Sequence, residues 1–244
     1  MPENRKLLLT GASSDVAKEL LKKIGCNYSH IIAIYNHSSD NIQELQSLFG
    51  DKVLPQKVDL SNLEEIDALM KRLKEDDLLP DHLIHLAAGK IHNVKFEKEC
   101  LGNFEDSINV SLRSIIKILL MSIPHMKKQK YGKIVFMLTS GVLNMPPKYQ
   151  SAYVVPKYAL LGLMRELSIE YAGKGITVNA VSPDMMETKF LSEVPDLIIQ
   201  ANAANSPAGR NIMISEVVPA FEYLLSDGAD AVTGVNIPVT GGKV

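Results

Sequence analysis

Residues 7–20, "LLLTGASSDVAKEL", decide how the rest of the chain is read. An apolar run closes on Thr10-Gly11 and opens at once into helix-favouring residues. That is the outline of a strand, a tight turn and a helix that together hold a dinucleotide pyrophosphate. Glycines in such a turn let the backbone approach phosphate and let the helix pack on the strand. Asp15 and Ala17 stand at the later glycine positions here. A methyl group at 17 still permits close packing, but a carboxylate at 15 would repel phosphates if it faced them. We expect Asp15 to cap the following helix instead, with its side chain turned from the phosphates. Its backbone also enters left-handed conformations more readily than most residues do.

Outward from this turn the same alternation repeats. Short apolar runs at 6–9, 30–35, 53–58, 82–86, 133–138, 176–181 and 235–239 predict strands. Most are continuously apolar, as strands covered on both faces are. Helical periodicity fills the intervals at 16–24, 41–49, 63–73, 104–126, 151–171 and 215–225. Strand–helix–strand repetition with short links implies right-handed crossovers and a parallel sheet. The expected fold is α/β: one Rossmann-like, doubly wound parallel sheet, with 1–244 forming a single domain. The long irregular stretch at 182–209 is expected to be a substrate lid.

The chain has 244 residues, 46% hydrophobic and 22% charged, ample for a buried core. A formal net charge of −2 argues against a dedicated nucleic-acid binder. Cys26 and Cys100 form no CxxC and no metal spacing, which suits a reduced, cytoplasmic protein. The opening "MPENRKLLLT" holds too short an apolar run for a signal peptide, and Lys117 interrupts the run at 114–121, so no membrane span is expected. The histidines show no HxxxH or HExxH pattern, so no metal is expected. His82 and His85 would face opposite sides of their strand as surface or site-wall residues.

Chemistry enters further along. In "SAYVVPKYALLGLMRELSIEYAGKGITVNAVSP", Tyr153 and Lys157 share one helical face at i, i+4 spacing. The strand before them ends in Thr139-Ser140, and Asn109 lies in an earlier long helix, "FEDSINVSL". With the TG turn, Asp59 in "VDLS", "HLAAG", "GITVNAVSP", "ETKF" and "TGVNIPVTGG", the chain resembles the short-chain dehydrogenase/reductase family from about residue 6 to 242. The resemblance implies a nicotinamide-dependent oxidoreductase in which Tyr153 donates a proton to the developing alkoxide. Lys157 would lower the tyrosine pKa and bind the nicotinamide ribose, Ser140 would hold the substrate carbonyl, and Asn109 would position a relay water. It also implies a cofactor groove lined by Gly11, Ser13, Ser14, Val16, Asn36, His37, Ser38, Asp59, Leu60, Ala87, Ala88, Gly89, Tyr153, Lys157, Pro183, Met186 and Thr188.

The chain departs from the family pattern in several places. "GKIVFMLTS" carries one extra residue, so counting forward from Gly132 reaches Thr139 and counting back from Tyr153 reaches Ser140. Ser140 is the expected residue, with a bulge absorbing the insertion. His85 and Leu86 replace the usual asparagine pair, which puts that strand end's polar network in doubt. Asp184 replaces a glycine, and Pro156 suits only a helix's first turn.

No carboxylate follows the second strand until Asp40; Tyr35, Asn36, His37, Ser38 and Ser39 come first. That tail resembles those of members that accept the 2′-phosphate of NADP, with NAD the alternative. The segments "ANSPAGR" and "GITVNAVSPDMMETKF" are similar to those of 3-oxoacyl-thioester reductases. The implied reaction is reduction of a carbonyl to an alcohol, on a 3-oxoacyl thioester, either free or held by a carrier protein. Lys127, Lys128 and Lys130 could dock such a carrier or simply form a solvated helix end. The resemblance implies a homotetramer or homodimer. The alternatives are an alcohol, sugar or secondary-metabolite dehydrogenase, or a catalytically weak nucleotide-binding module.

Overall fold

The computed structural model describes residues 4–38, 40–143, 145–191 and 194–243. Seven strands form one parallel sheet: β1 (Lys6–Thr10), β2 (His30–Tyr35), β3 (Val53–Lys57), β4 (His82–His85), β5 (Gly132–Met137), β6 (Ile176–Pro183) and β7 (Asn236–Val239). Their order is β3-β2-β1-β4-β5-β6-β7, with every pairing parallel. Successive side chains point to opposite faces, and both faces are buried. Leu8, Ile32, Leu83, Ile134, Phe136 and Val178 enter one core. Leu7, Leu9, Ile31, Ile84, Val135 and Val181 enter the other. Two covered faces explain why these strands lack polar alternation.

Helices α1 (Asp15–Ile24), α2 (Asp40–Phe49) and α8 (Ile214–Leu225) cover one face through Leu20, Leu45 and Phe221. Helices α3 (Leu63–Glu75), α5 (Ser114–Gln129) and α6 (Ser151–Glu170) cover the other through Leu69, Ile118 and Leu160. The winding direction reverses between β1 and β4, which opens a crevice at their carboxyl ends. This is the doubly wound α/β architecture the sequence predicts.

Three local expectations are corrected. The helix expected at 104–126 is α4 (Leu101–Ile108), a π turn (Asn109–Arg113) and α5. In that turn the Ser114 amide donates to the Asn109 carbonyl instead of that of Val110, which accepts from Ser114 Oγ at 2.6 Å, and the Ser111 carbonyl accepts from His85 Nε2 at 2.8 Å. The stretch 182–209 is only partly irregular. It holds a 3-10 turn (Lys189–Leu191) and α7 (Asp196–Asn205), while residues 192 and 193 lie outside the described residues. Pro156 lies beyond the first turn of α6, because the helix starts at Ser151. Burial of Pro156, Leu160, Leu161 and Met164 offsets the one hydrogen bond that the ring removes. Leu101–Gln129 is long and apolar enough to cross a membrane by length and composition. Here Ile115, Ile118, Ile123 and Met126 of that run are packed against the sheet.

Candidate active site

The turn after β1 meets the crevice. Gly11 has φ +69, and a Cβ there would stand 2.9 Å from the Ala87 amide nitrogen. Gly89 is equally constrained, since a Cβ would reach the Ser107 Cα at 2.7 Å. Backbone therefore approaches backbone at the mouth of the crevice, as a pyrophosphate cradle requires. Ser14, not Asp15, caps α1: its Oγ accepts from the Ala17 amide at 3.1 Å. The capping residue precedes the first helical residue, and Asp15 already belongs to the helix. The Asp15 carboxylate is engaged elsewhere, accepting from the Lys189 amide (3.2 Å) and the Asn41 side chain (3.4 Å). Asn41 also donates to the Ser13 carbonyl at 2.8 Å, so α2 braces the turn.

At the end of β4, the expectation that His82 and His85 are surface or site-wall residues is corrected: both are fully buried. Thr10 Oγ1 and His85 Nδ1 are 2.7 Å apart, and His85 Nε2 donates to the Ser111 carbonyl. Because that carbonyl can only accept, Nε2 carries the proton and Thr10 donates to Nδ1. The Ala87 amide then donates to Thr10 Oγ1 (3.3 Å), and the Gly89 amide to Ser111 Oγ (3.1 Å). This network replaces the one that an asparagine pair would build. His82 lies between the hydroxyls of Tyr28 and Tyr131, each at 2.8 Å. Burial pulls both histidines down to about 3, so they are neutral.

The chemistry-bearing groups come from β5 and α6. No bulge absorbs the extra residue of β5. Pairing with β6 is regular from Gly132↔Ile176 to Met137↔Val181, and the Leu138 amide continues it onto the Val181 carbonyl at 2.8 Å. The extra length is taken up past the strand, where Thr139 is extended and Ser140 opens a 3-10 turn. As a result the Thr139 hydroxyl stands beside the Tyr153 phenol, on the same cavity wall, where it favours the ionised phenol. Ser140 Oγ donates to Asp184 Oδ1 at 2.8 Å. A hydroxyl has one proton, so Ser140 has none to spare for a substrate carbonyl.

Lys157 is 1% exposed, and its ammonium donates to the Met137 carbonyl at 2.8 Å. Burial pulls its pKa down to about 8. The Tyr153 phenol is not depressed as expected. Burial pushes it up to about 12, opposed by the Thr139 hydroxyl. The Lys157 ammonium lies 5.7 Å from the centre of the ring, and burial alone raises the phenol. Asn109 is in the π turn, where its Oδ1 accepts from Arg113 at 2.8 Å, away from the cavity wall.

These groups surround a cavity of about 590 Å³. Of the expected residues, Ser13, Ser14, Val16 and Ala88 line it on the side of the turn. Ser140, Tyr153, Lys157, Pro183, Met186 and Thr188 line it on the other. Gly11, Ala87 and Gly89 form the backbone beneath. Asn36, His37 and Ser38 follow β2 outside this cavity, and Ser39 lies outside the described residues. Asp59 accepts from the Ser61 amide and hydroxyl, and Leu60 is buried in the core, so neither lines the cavity. Sequence reasoning missed Lys189, Asn202 and Lys243, which also line it. Lys127, Lys128 and Lys130 stand before β5, at the sheet edge opposite the cavity, and Lys174 precedes the neighbouring β6.

Comparison with known proteins agrees with this geometry. A family model described as enoyl-(acyl carrier protein) reductase matches residues 14–243. The chain is similar to the 3-oxoacyl-(acyl-carrier-protein) reductase FabG of Thermotoga maritima, at 27% identity over 246 residues, covering 99% of this chain and 98% of that one. Among solved structures it is similar to ElxO with NADP bound, with a TM-score of 0.87 at 20% identity and 98% of each chain covered. It is also similar to 4-hydroxyisoleucine dehydrogenase complexed with NADH, with a TM-score of 0.83 at 27% identity and 97% of each chain covered.

Proposed function

Since the chain belongs to the short-chain dehydrogenase/reductase family, we propose that it is an NADPH-dependent ketoreductase that converts the ketone of a 3-oxoacyl thioester to an alcohol. The observation that carries this reading is the gathering of Thr139, Tyr153 and the buried Lys157 ammonium on one cavity wall, with the ammonium 5.7 Å from the centre of the Tyr153 ring. A nicotinamide cofactor fits the residues present. The glycine cradle at Gly11 and Gly89 has no room for side chains, and the first amides of α1 face the same crevice. Lys157 is a buried cation with one protein acceptor among the described residues, which leaves hydrogens for ribose hydroxyls.

The cofactor, when bound, supplies a hydride to the carbonyl carbon. Tyr153 gives its phenolic proton to the carbonyl oxygen as negative charge develops there. Thr139, rather than Ser140, is the second hydroxyl on that oxygen: with substrate bound its proton turns from the phenol to the carbonyl, while the Ser140 proton stays on the Asp184 carboxylate. Lys157 stabilises the phenolate left behind. Asn109 keeps the relay-water role by position alone, since its π turn packs on α6. The tail Asn36, His37 and Ser38 offers amide, imidazole and hydroxyl donors with no carboxylate, which supports NADP over NAD. Exposed Ile116 and Leu120 on α5, with Val155, Tyr158 and Ile169 on α6, support a homo-oligomer. We place the enzyme in the cytoplasm, with its substrate offered on a carrier protein.

The test is NADPH consumption, followed by absorbance, with a soluble 3-oxobutanoyl thioester. Turnover is expected in the unmodified protein. A fall of at least roughly a hundredfold is expected in Tyr153→Phe, with cofactor affinity nearly intact. Failure to reduce any 3-oxoacyl thioester would remove the substrate assignment, and tighter binding of NADH than NADPH would reverse the cofactor assignment.

A further inference from the structure

One buried carboxylate on the cavity wall gathers three distant parts of the chain. Asp184, at the carboxyl end of β6, has a side chain only 8% exposed. Its Oδ1 accepts from Ser140, the neighbour of Thr139. Its Oδ2 accepts from Asn202 of α7 at 3.1 Å and from Lys243 of the C-terminal tail at 3.3 Å. Lys243 also hydrogen-bonds Asn202 Oδ1. Asp184 is thus satisfied by protein partners on both oxygens and has little left to offer a ligand.

Lys243 is in the opposite position. An ammonium has three hydrogens, of which Asp184 and Asn202 take two. Its side chain stays 35% exposed on the cavity wall. Much of the remaining wall is apolar, with Ile91, Met185, Leu191 and Val194 among its residues. Ser140 and Lys243 sit on opposite oxygens of one carboxylate, so the cation is fixed a short way from the Thr139–Tyr153 pair. Thr139, Tyr153 and Lys243 line the same cavity, so a ketone at that pair and an oxygen held by Lys243 would share one chamber.

We propose that Lys243 is a specificity-determining residue that hydrogen-bonds a carbonyl or carboxylate oxygen two carbons from the ketone. It thereby selects 3-oxoacyl compounds over lone ketones. The inference rests on the ketoreductase reading above. A site built around a hydrogen bond discriminates strongly against a substrate lacking the partner, because the protein group is then left unmatched. Asp184 and Asn202 act as positioning residues that hold the ammonium in place, and the pairing keeps its charge from standing alone.

The test measures steady-state kinetics with a 3-oxobutanoyl thioester and with free 3-oxobutanoate. The proteins compared are the unmodified one, Lys243→Met, Lys243→Arg, and the double variant Asp184→Asn/Lys243→Met. Lys243→Met is expected to raise KM at least about tenfold with kcat within about threefold, while NADPH affinity stays unchanged. Lys243→Arg should recover most of the loss. The double variant should remain as weak as Lys243→Met. A KM effect on the thioester alone identifies an acyl carbonyl as the partner oxygen; an effect on the acid alone identifies a carboxylate. An unchanged KM in Lys243→Met overturns the inference. So does a normal KM in the double variant, because Lys243 would then serve only to neutralise Asp184. Inactivity of the unmodified protein on both compounds would instead sink the ketoreductase reading.

Discussion

Thr139 and Ser140 are adjacent hydroxyls with different fates, one beside the Tyr153 phenol and one on a buried carboxylate. Thr139→Ala should therefore cut kcat by about a hundredfold, and Ser140→Ala by less than about tenfold, in parallel turnover assays. The reverse order would restore Ser140 to the role expected from the sequence. Lys157 carries a second residue-scale consequence. Its pKa is about 8 in the fold against an ordinary 10.5, so between those values the unfolded chain binds more protons. Stability then rises with pH across that window, and at neutral pH the buried cation is a burden. Lys157→Met should raise Tm, by roughly 2–4 °C for each kcal/mol recovered, while activity is lost and NADPH binds more weakly. Calorimetric scans at pH 7 check this. Tyr153 and Lys157 were legible because helical spacing is fixed by covalent geometry. Thr139 against Ser140 was not, because the count back from Tyr153 crosses a loop whose path the residues do not dictate, while the count forward along β5 reached Thr139. Lys243 was invisible for a like reason: only the folded tail brings it beside Asp184.

Among the elements, α1 shows how far local signals reach. The sequence led to a cap at Asp15, and the structure gives the cap to the residue before it, Ser14. Ser14→Ala should cost about 1 kcal/mol of unfolding free energy, measured by urea titration. Asp15→Ala leaves the cap in place and should cost less, while releasing the Lys189 amide and making the segment around Lys189 more readily cut by protease. Equal stability losses would mean that Asp15 shares the capping role. Helix α7 escaped sequence reading because "DLIIQANAAN" carries no clear apolar stripe; none of its residues is buried, and Ile198 and Ile199 only lean on a small cluster. The π turn escaped because it answers to a tertiary partner, His85, rather than to its own residues.

At the scale of the whole molecule, the doubly wound sheet was legible because burial on both faces writes itself as unbroken apolar runs. The same burial traps His82 and His85 as neutral rings. Both fall to about 3 in the fold from an ordinary 6.5, so between those values the unfolded chain holds the extra protons. Their contribution is fully present above about pH 6.5 and is lost as pH falls toward 3. The two together add a slope of up to about 2.7 kcal/mol per pH unit. Urea unfolding at pH 7, 6 and 5 should show this loss, and His85→Asn should roughly halve the slope. An unchanged slope in that variant would mean other groups govern acid sensitivity.

The bond from the Lys189 amide to the Asp15 carboxylate joins the turn after β1 to the segment after β6 through a backbone hydrogen. That hydrogen can exchange with deuterium only while the two segments are apart. Its exchange rate, read by NMR or mass spectrometry, is therefore a built-in clock for the parting of these two segments that needs no attached dye and no added substrate.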